Sequence, residues 1–293
     1  MAITRRRFLA ASVCAAAGSA LYAGEIERHW IEFTQREVYL PGLPRAFDGF
    51  RVVQLSDIHL DEFTEPSFLQ KAVGRINAIN PDAVFLTGDF ITLSPLAKVV
   101  LKGVAEQCAG ILGHLQCPRR YACLGNHDFL AGGAMVTDAL ATCGIPVLRN
   151  SCVAIERDGA RFWLAGVEDP LQGQPDPEAA IPASIRNLPG EPVVLLCHGP
   201  DYVDTLLKKP AGQSVSLMLS GHTHGGQIRL PLIGPLILPP FGKKYVQGWF
   251  RFGNLQLHVN RGIGTVDLPL RLNCPPEISV MTLRVQSPSS QQS

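Results

Sequence analysis

The sequence predicts an α/β domain whose ligands gather at the ends of its strands. Three observations carry that prediction. Short apolar runs of strand length recur along the chain, each followed by a polar loop. Helical apolar patterns lie between some of them. Aspartate, asparagine and histidine cluster just past the runs rather than being scattered. Continuous apolar runs of four to eight residues read as buried strands, and an open α/β sheet collects its ligands at the strand ends.

In chain order, WIEFTQREVYL (30–40) alternates in part and suggests extended chain. RVVQL (51–55) leads into SDIHL, DAVFL (82–86) into TGDF, and RYACL (120–124) into GNHDF. RFWLAGV (161–167) leads into EDP, PVVLL (192–196) into CHGPD, and VSLML (215–219) into SGHTHGGQ. LQLHV (255–259) leads into NRGIG, and ISVMTLRV (278–285) closes the ordered chain. In residues 66–80, Phe68, Leu69, Ala72, Val73, Ile76 and Ile79 share one helical face. Helices are also expected over 134–144 and 202–209. Residues 169–192, rich in Pro, Gln and Asp, read as a surface excursion, and 286–293 as a disordered tail.

Residues 1–23 differ from the rest. Arg5, Arg6 and Arg7 precede Phe8-Leu9 and a run of small apolar residues, the pattern of an export signal. The paired arginines resemble the twin-arginine signal, whose route carries folded proteins, so the twin-arginine export machinery is an expected partner. Ala20 and Ala23 are candidate cleavage points, and an uncleaved segment would leave a short membrane anchor. The expected location is the periplasm or the outer face of the cytoplasmic membrane. Beyond the segment the chain carries 23 basic and 25 acidic residues, a poor footprint for nucleic acid. Seven cysteines lie there with no Cys-x-x-Cys spacing, against a zinc ribbon or a disulfide framework. A single body over 24–285 and a monomer are expected.

Five of the eight histidines fall in the loops: His59, His127, His198, His222 and His224. With Asp57, Asp89, Asn126 and Asp128 they form a set of metal-ligand type. If the DIH segment is extended, Asp57 and His59 point the same way and grip one ion. Imidazole mixed with carboxylate oxygen suits Mn, Fe or Zn better than Ca.

SDIHL, TGDF, GNHD, CHGPD and SGHTHGGQ, in that order, resemble the calcineurin-like metallophosphoesterases. The later RGIGT and PPEISVMTL resemble its exported bacterial subgroup. The resemblance implies a four-layer α/β/β/α sandwich of two mixed sheets with two divalent ions at one end. Asp57, His59 and His224 would hold the first ion, Asn126, His198 and His222 the second, and Asp89 would bridge them. Such a pair acidifies the solvent held between the ions, and the resulting hydroxide attacks phosphorus. His127 would stand near the leaving group as proton donor or as charge stabiliser, with Asp128 orienting its loop. The family's phosphoprotein phosphatases carry an acid behind that histidine three residues after the GD aspartate, where this chain has Thr92, and their RG pair is missing. A phosphoprotein phosphatase is therefore not expected.

Arg261 could hold a phosphate oxygen or form a salt bridge, and Gln227 is read as a turn residue. His258 is read as solvent-facing from its alternation with Gln256 and Asn260. The proline-broken apolar stretch 228–245 is read first as a loop packed on the core, and alternatively as an apolar rim beside the site. A phosphodiesterase is the favoured function, on resemblance alone. The alternatives are a hydrolase of lipid-linked diphosphates at the membrane and a non-catalytic metal-binding envelope protein.

Overall fold

A computed structural model describes residues 4–60, 63–93, 101–186 and 188–286. Two mixed sheets stack face to face. The first contains β1 (Glu32–Leu40), β2 (Arg51–Leu55), β3 (Ala83–Leu86), β4 (Arg120–Ala122) and β13 (Glu277–Val285), in the order β1-β13-β2-β3-β4. Only the β13–β2 pairing in it is antiparallel. The second contains β5 (Ser151–Arg157), β6 (Ala160–Gly166), β7 (Val193–Leu196), β8 (Val215–Ser220), β11 (Gly248–Phe252) and β12 (Leu255–Val259). Its order is β11-β12-β8-β7-β6-β5, with antiparallel pairs at both edges.

Alternation along the strands builds three cores from these two sheets. Val52, Phe85, Leu217 and Leu219 point inward and fill the space between the sheets with Phe47, Phe50 and Phe162. Their neighbours Val53, Leu55, Val84 and Leu86 point outward against α2 (Pro66–Ile79), α3 (Leu101–Gly113) and α4 (Asn126–Thr142). On the other flank Val193, Leu195, Met218 and Leu257 pack with residues of the short helices α5 (Pro177–Ala180) and α6 (Val203–Leu206). Strands buried on both faces read as continuous apolar runs, which is why the sequence exposed them. The result is the four-layer α/β/β/α sandwich.

Several expectations need correction. Helix α4 begins at Asn126, eight residues before the expected start, and is kinked at Gly132. Helix α6 is one turn, stopped short of Pro210. Residues 169–192 are not merely a surface excursion, since Ala180, Ile181 and Ile185 enter the third core. Helix α3 and strands β5 and β11 were not anticipated. His258 is buried rather than solvent-facing, 2% exposed, with Nδ1 2.8 Å from Gln54 Oε1. Its strand is covered on both sides, so alternation could not mark a solvent face. The expected disordered tail lies, from residue 287, outside the described residues.

Helix α1 (Arg5–Leu21) stands off the body with Phe8, Leu9, Val13 and Leu21 exposed. By length and composition, Arg5–His29 is long and apolar enough to cross a membrane. The chain after it is tied to the sandwich: Arg271 N donates to Ala23 O, and Cys274 N to Glu27 Oε1.

Candidate metal centre

Loops after β2, β3, β4, β7 and β8 converge at one end of the sandwich. The loop backbones are cross-bonded before any side chain is considered. Asp57 N donates to Gly88 O, Ile58 N and His59 N to Asp89 O, and Gly221 N to His198 O. Asp128 fastens a third loop, accepting from Gly125 N, Asp89 N and Phe90 N at 2.8–2.9 Å. Burial and the nearby Asp89 push its carboxyl up to about 8, against those donors. Close packing requires two of the glycines. A Cβ on Gly221 would stand 1.9 Å from Ser56 Oγ, and one on Gly125 would stand 2.2 Å from Asp89 Oδ1.

The DIH segment is not extended. Asp57, His59, Asp89, His222 and His224 all have left-handed φ, between 48° and 74°. Such backbone costs about 1 kcal/mol per non-glycine residue and concentrates at functional sites. Asp57 and His59 thus face one point because both turn left-handed, not because they alternate along a strand.

Asp57, His59 and His224 each place a ligand-type atom within 4.8 Å of the other two. Asp89, His198 and His222 form a second such group, and His59, Asp89 and His127 a third. Asp89 and His59 are the shared members. Outer hydrogen bonds fix which ring atom faces inward, as metal-binding imidazoles require. His198 Nδ1 sits 2.6 Å from Thr87 O and donates to it, so Nε2 is the atom that faces Asp89 Oδ2, 3.0 Å away. His222 Nε2 sits 2.7 Å from Pro240 O, which leaves Nδ1 free. His59 Nδ1 meets Thr92 Oγ1 at 2.6 Å, and its Nε2 faces His224 Nε2 at 3.0 Å. Two ring nitrogens that close share one proton or a cation between them.

The remaining atoms agree. Asp57 Oδ2, Asn126 Oδ1, His127 Nδ1 and His198 Nε2 are buried without a hydrogen-bond partner among the described residues. Orphaned buried acceptors of this kind are costly, and those on Asn126, His127 and His198 belong to residues of the cluster or its cavity floor. Burial pushes His59 down to about 3 and His222 to about 4, which keeps both rings neutral as ligation demands. Burial also pushes Asp57 up to about 6. For His198, burial works downward, but Asp89 and Asp57 outweigh it and raise the group. A cation beside Asp89 would take over that role. The residues present therefore fit divalent metal.

Thr92 supports His59 rather than His127. Arg261 does not face the cavity: its Nε pairs with Glu277 Oε2 at 3.0 Å and its Nη2 with Glu32 Oε2 at 2.7 Å. Those carboxylates occupy the guanidinium, so it is a structural ion pair and not a phosphate clamp. Gln227 stitches a loop, with Nε2 donating to Val266 O and Leu268 O. Arg271, missed in the sequence, is wholly buried and donates to the carbonyls of Gly264, Cys274, Arg261 and Gly262. One of its nitrogens lies 3.4 Å from His224 Nδ1. No sequence signal marked it, because all but one of these partners are main-chain carbonyls.

Above the cluster opens a cavity of about 490 Å³. Asp89, Asn126, His127, His222 and His224 form its floor; Leu171, Ile228, Leu236, Ile237 and Leu268 are among its walls. The stretch 228–240 is not packed on the core as first expected. Ile233 is 71% and Ile237 82% exposed, and Leu232 fully so. Four prolines leave it too few backbone partners to fold inward.

The chain is 37% identical to the uncharacterized metallophosphoesterase YkuE of Bacillus subtilis, over 96% of this chain and 98% of that one. It is 33% identical to the phosphodiesterase YaeI of Escherichia coli, over 96% and 99%. It is 26% identical to the UDP-2,3-diacylglucosamine pyrophosphatase LpxG of Chlamydia muridarum, over 93% and 95%. Residues 50–226, which contain all five motif loops, match the calcineurin-like phosphoesterase family. On that match and the converged metal-binding side chains, this chain belongs to the calcineurin-like phosphoesterases and is a hydrolase of phosphate esters.

Proposed function

We propose that the chain is a two-ion phosphodiesterase. Asp57, His59 and His224 would hold one ion, Asn126, His198 and His222 the other, with Asp89 shared. When bound, divalent ions such as Mn, Fe or Zn supply Lewis acidity that neutralises phosphate charge and acidifies water. The observation carrying this reading is the three overlapping groups of buried or half-buried ligand-type side chains, each with its atoms within 4.8 Å of one another. His127 lines the cavity floor, and its backbone N donates to Asp89 Oδ1 at 2.9 Å, which fixes the ring beside the cluster. From there the imidazole delivers a proton to the departing oxygen. Leu171 and Leu236 line the same cavity.

Preference for a diester follows from charge. The described cavity lining contains Asp89 and Asp267 but no lysine or arginine. A monoester dianion would meet no protein cation there, whereas a diester brings one negative charge. The phosphodiesterase YaeI supports the same reading. A second reading, hydrolysis of lipid-linked diphosphates, is favoured by the exposed apolar walls and by the likeness to LpxG. Residues 1–23 act, in this proposal, as a twin-arginine-type signal or anchor that places the domain 24–285 outside the cytoplasmic membrane.

The test is turnover of a panel of mono- and diesters, with and without acyl chains, after loading with Mn, Zn or Fe. Diesters should exceed monoesters about ten-fold, and His127→Ala should lower kcat about 10²-fold with metal content unchanged. If the metal-loaded protein hydrolyses no ester, it is instead a non-catalytic metal-binding envelope protein.

A further inference from the structure

The stretch after the histidine loop forms a minute hairpin, β9 (Arg229–Leu230) and β10 (Gly234–Pro235), which pair antiparallel. Its tip holds Leu232 and Ile233, both exposed, and Leu232 sits at φ 67°. A leucine in left-handed backbone, wholly in water, has both a conformational and a solvation cost. Among the described residues no neighbour covers Leu232.

The hairpin does not stand alone. Arg229 N donates to Leu272 O, and Asn273 Nδ2 to Arg229 O. The same segment holds the root of the N-terminal helix, through Arg271 N to Ala23 O. A Cβ on Gly24 would lie 3.3 Å from Leu270 Cδ2 and 3.8 Å from Pro269 O, so the two segments pack closely. The membrane-length helix therefore leaves the body beside the hairpin and beside Leu268, which lines the cavity and is 50% exposed. Around that exit Tyr22 and Trp30 are exposed, as aromatics are at a lipid–water boundary. Downstream of the hairpin, Lys243 and Lys244 are exposed, and Lys208 is a near neighbour of the Asp204 that pairs with Lys244. Cations at the edge of an apolar patch suit anionic headgroups.

We propose that the hairpin tip inserts into the same leaflet that the N-terminal helix enters, so that the cavity mouth opens onto the lipid–water interface. The occupant of this apolar face is a bilayer with anionic headgroups. The proposal rests on the anchor reading of residues 1–23 and needs no lipid chain on the substrate. Docking and hydrolysis can therefore fail separately.

The test uses the full chain in vesicles of phosphatidylglycerol and phosphatidylethanolamine. A fluorophore is placed at Leu232→Cys, or at Asp158→Cys in the turn at the opposite end of the strands, both with Cys14→Ser. A spin-labelled lipid should quench the label at 232 and leave that at 158 bright, while aqueous iodide does the reverse. In the same vesicles, Leu232→Glu with Ile233→Glu should slow a vesicle-borne phosphodiester about ten-fold, and a soluble one less than about two-fold. Equal iodide quenching at both positions overturns the proposal. Shielding of 232 from both quenchers overturns it too, since a protein partner would then cover the tip.

Discussion

Two wholly buried histidines a few residues from the same sheet ends have opposite fates. His258 sits between the sheets with Nδ1 on Gln54 Oε1 and Nε2 3.9 Å from Glu277 Oε1. His198 has Nδ1 satisfied by Thr87 O, and its Nε2 points into the cluster, where ligand-type atoms of Asp89 and His222 lie within 4.8 Å. Burial is thus uninformative about function here, and the company of other ligand-type atoms is what marks a ligand. Gln54 joins the two regions, donating to Thr87 Oγ1 and to Ser220 O, just upstream of Asp89 and His222. The polar network around His258 is a scaffold, and the cluster beside it is the machine it holds.

The largest expected effect lies on the ligand side of that contrast. Asp89→Asn removes the carboxylate common to two of the ligand groups. It should lower turnover about 10³-fold and lower bound metal, measured by elemental analysis. A variant with full metal and near-normal turnover would erase the distinction drawn between the regions.

The scaffold side should respond to pH through stability. Burial pushes His258 down to about 4 from 6.5. The unfolded chain then binds the extra proton first, so stability is complete above pH 6.5 and is lost as pH falls toward 4. At about 1.4 kcal/mol per pKa unit, His258 accounts for about 3 kcal/mol of that loss. Denaturant titrations of His258→Gln at pH 7.5 and pH 4.5 should show a shallower decline than the parent. An identical slope would mean that the ring is not buried neutral.

The smallest effect on catalysis belongs to Arg261→Ala. It leaves Glu277 buried without its guanidinium, at about 3 kcal/mol of stability. Turnover under native conditions should stay within about three-fold. A hundred-fold drop in kcat/KM with stability intact would return Arg261 to the phosphate site.

What was legible in the sequence follows the same division. The strand ends showed because their runs are apolar on both faces and their loops carry Asp, Asn and His where turns usually carry Ser or Gly. Asp57, His59, Asp89, Asn126, His127, His198, His222 and His224 were all named before their convergence was seen. Helix α3 was not, since Gly103 and Gly110 weaken its helical signal although Val104, Cys108, Ile111 and Leu112 are buried. Partnerships of side chain with main chain were equally hidden, which is why Arg271 escaped notice, and so was the side-chain contact of Thr92 with His59. The exposure of Leu232 and Ile233 could not be read either, since apolar residues ordinarily imply burial.

The left-handed turns at Asp57, His59, Asp89, His222 and His224 have one further consequence. They are braced by backbone hydrogen bonds from loop to loop and by three apolar cores. The chelating pocket is thus pre-shaped by the polypeptide, unlike a zinc finger, which collapses when stripped. A chelator should empty it while leaving the sandwich standing, and added cation should refill it within the time of mixing rather than of refolding.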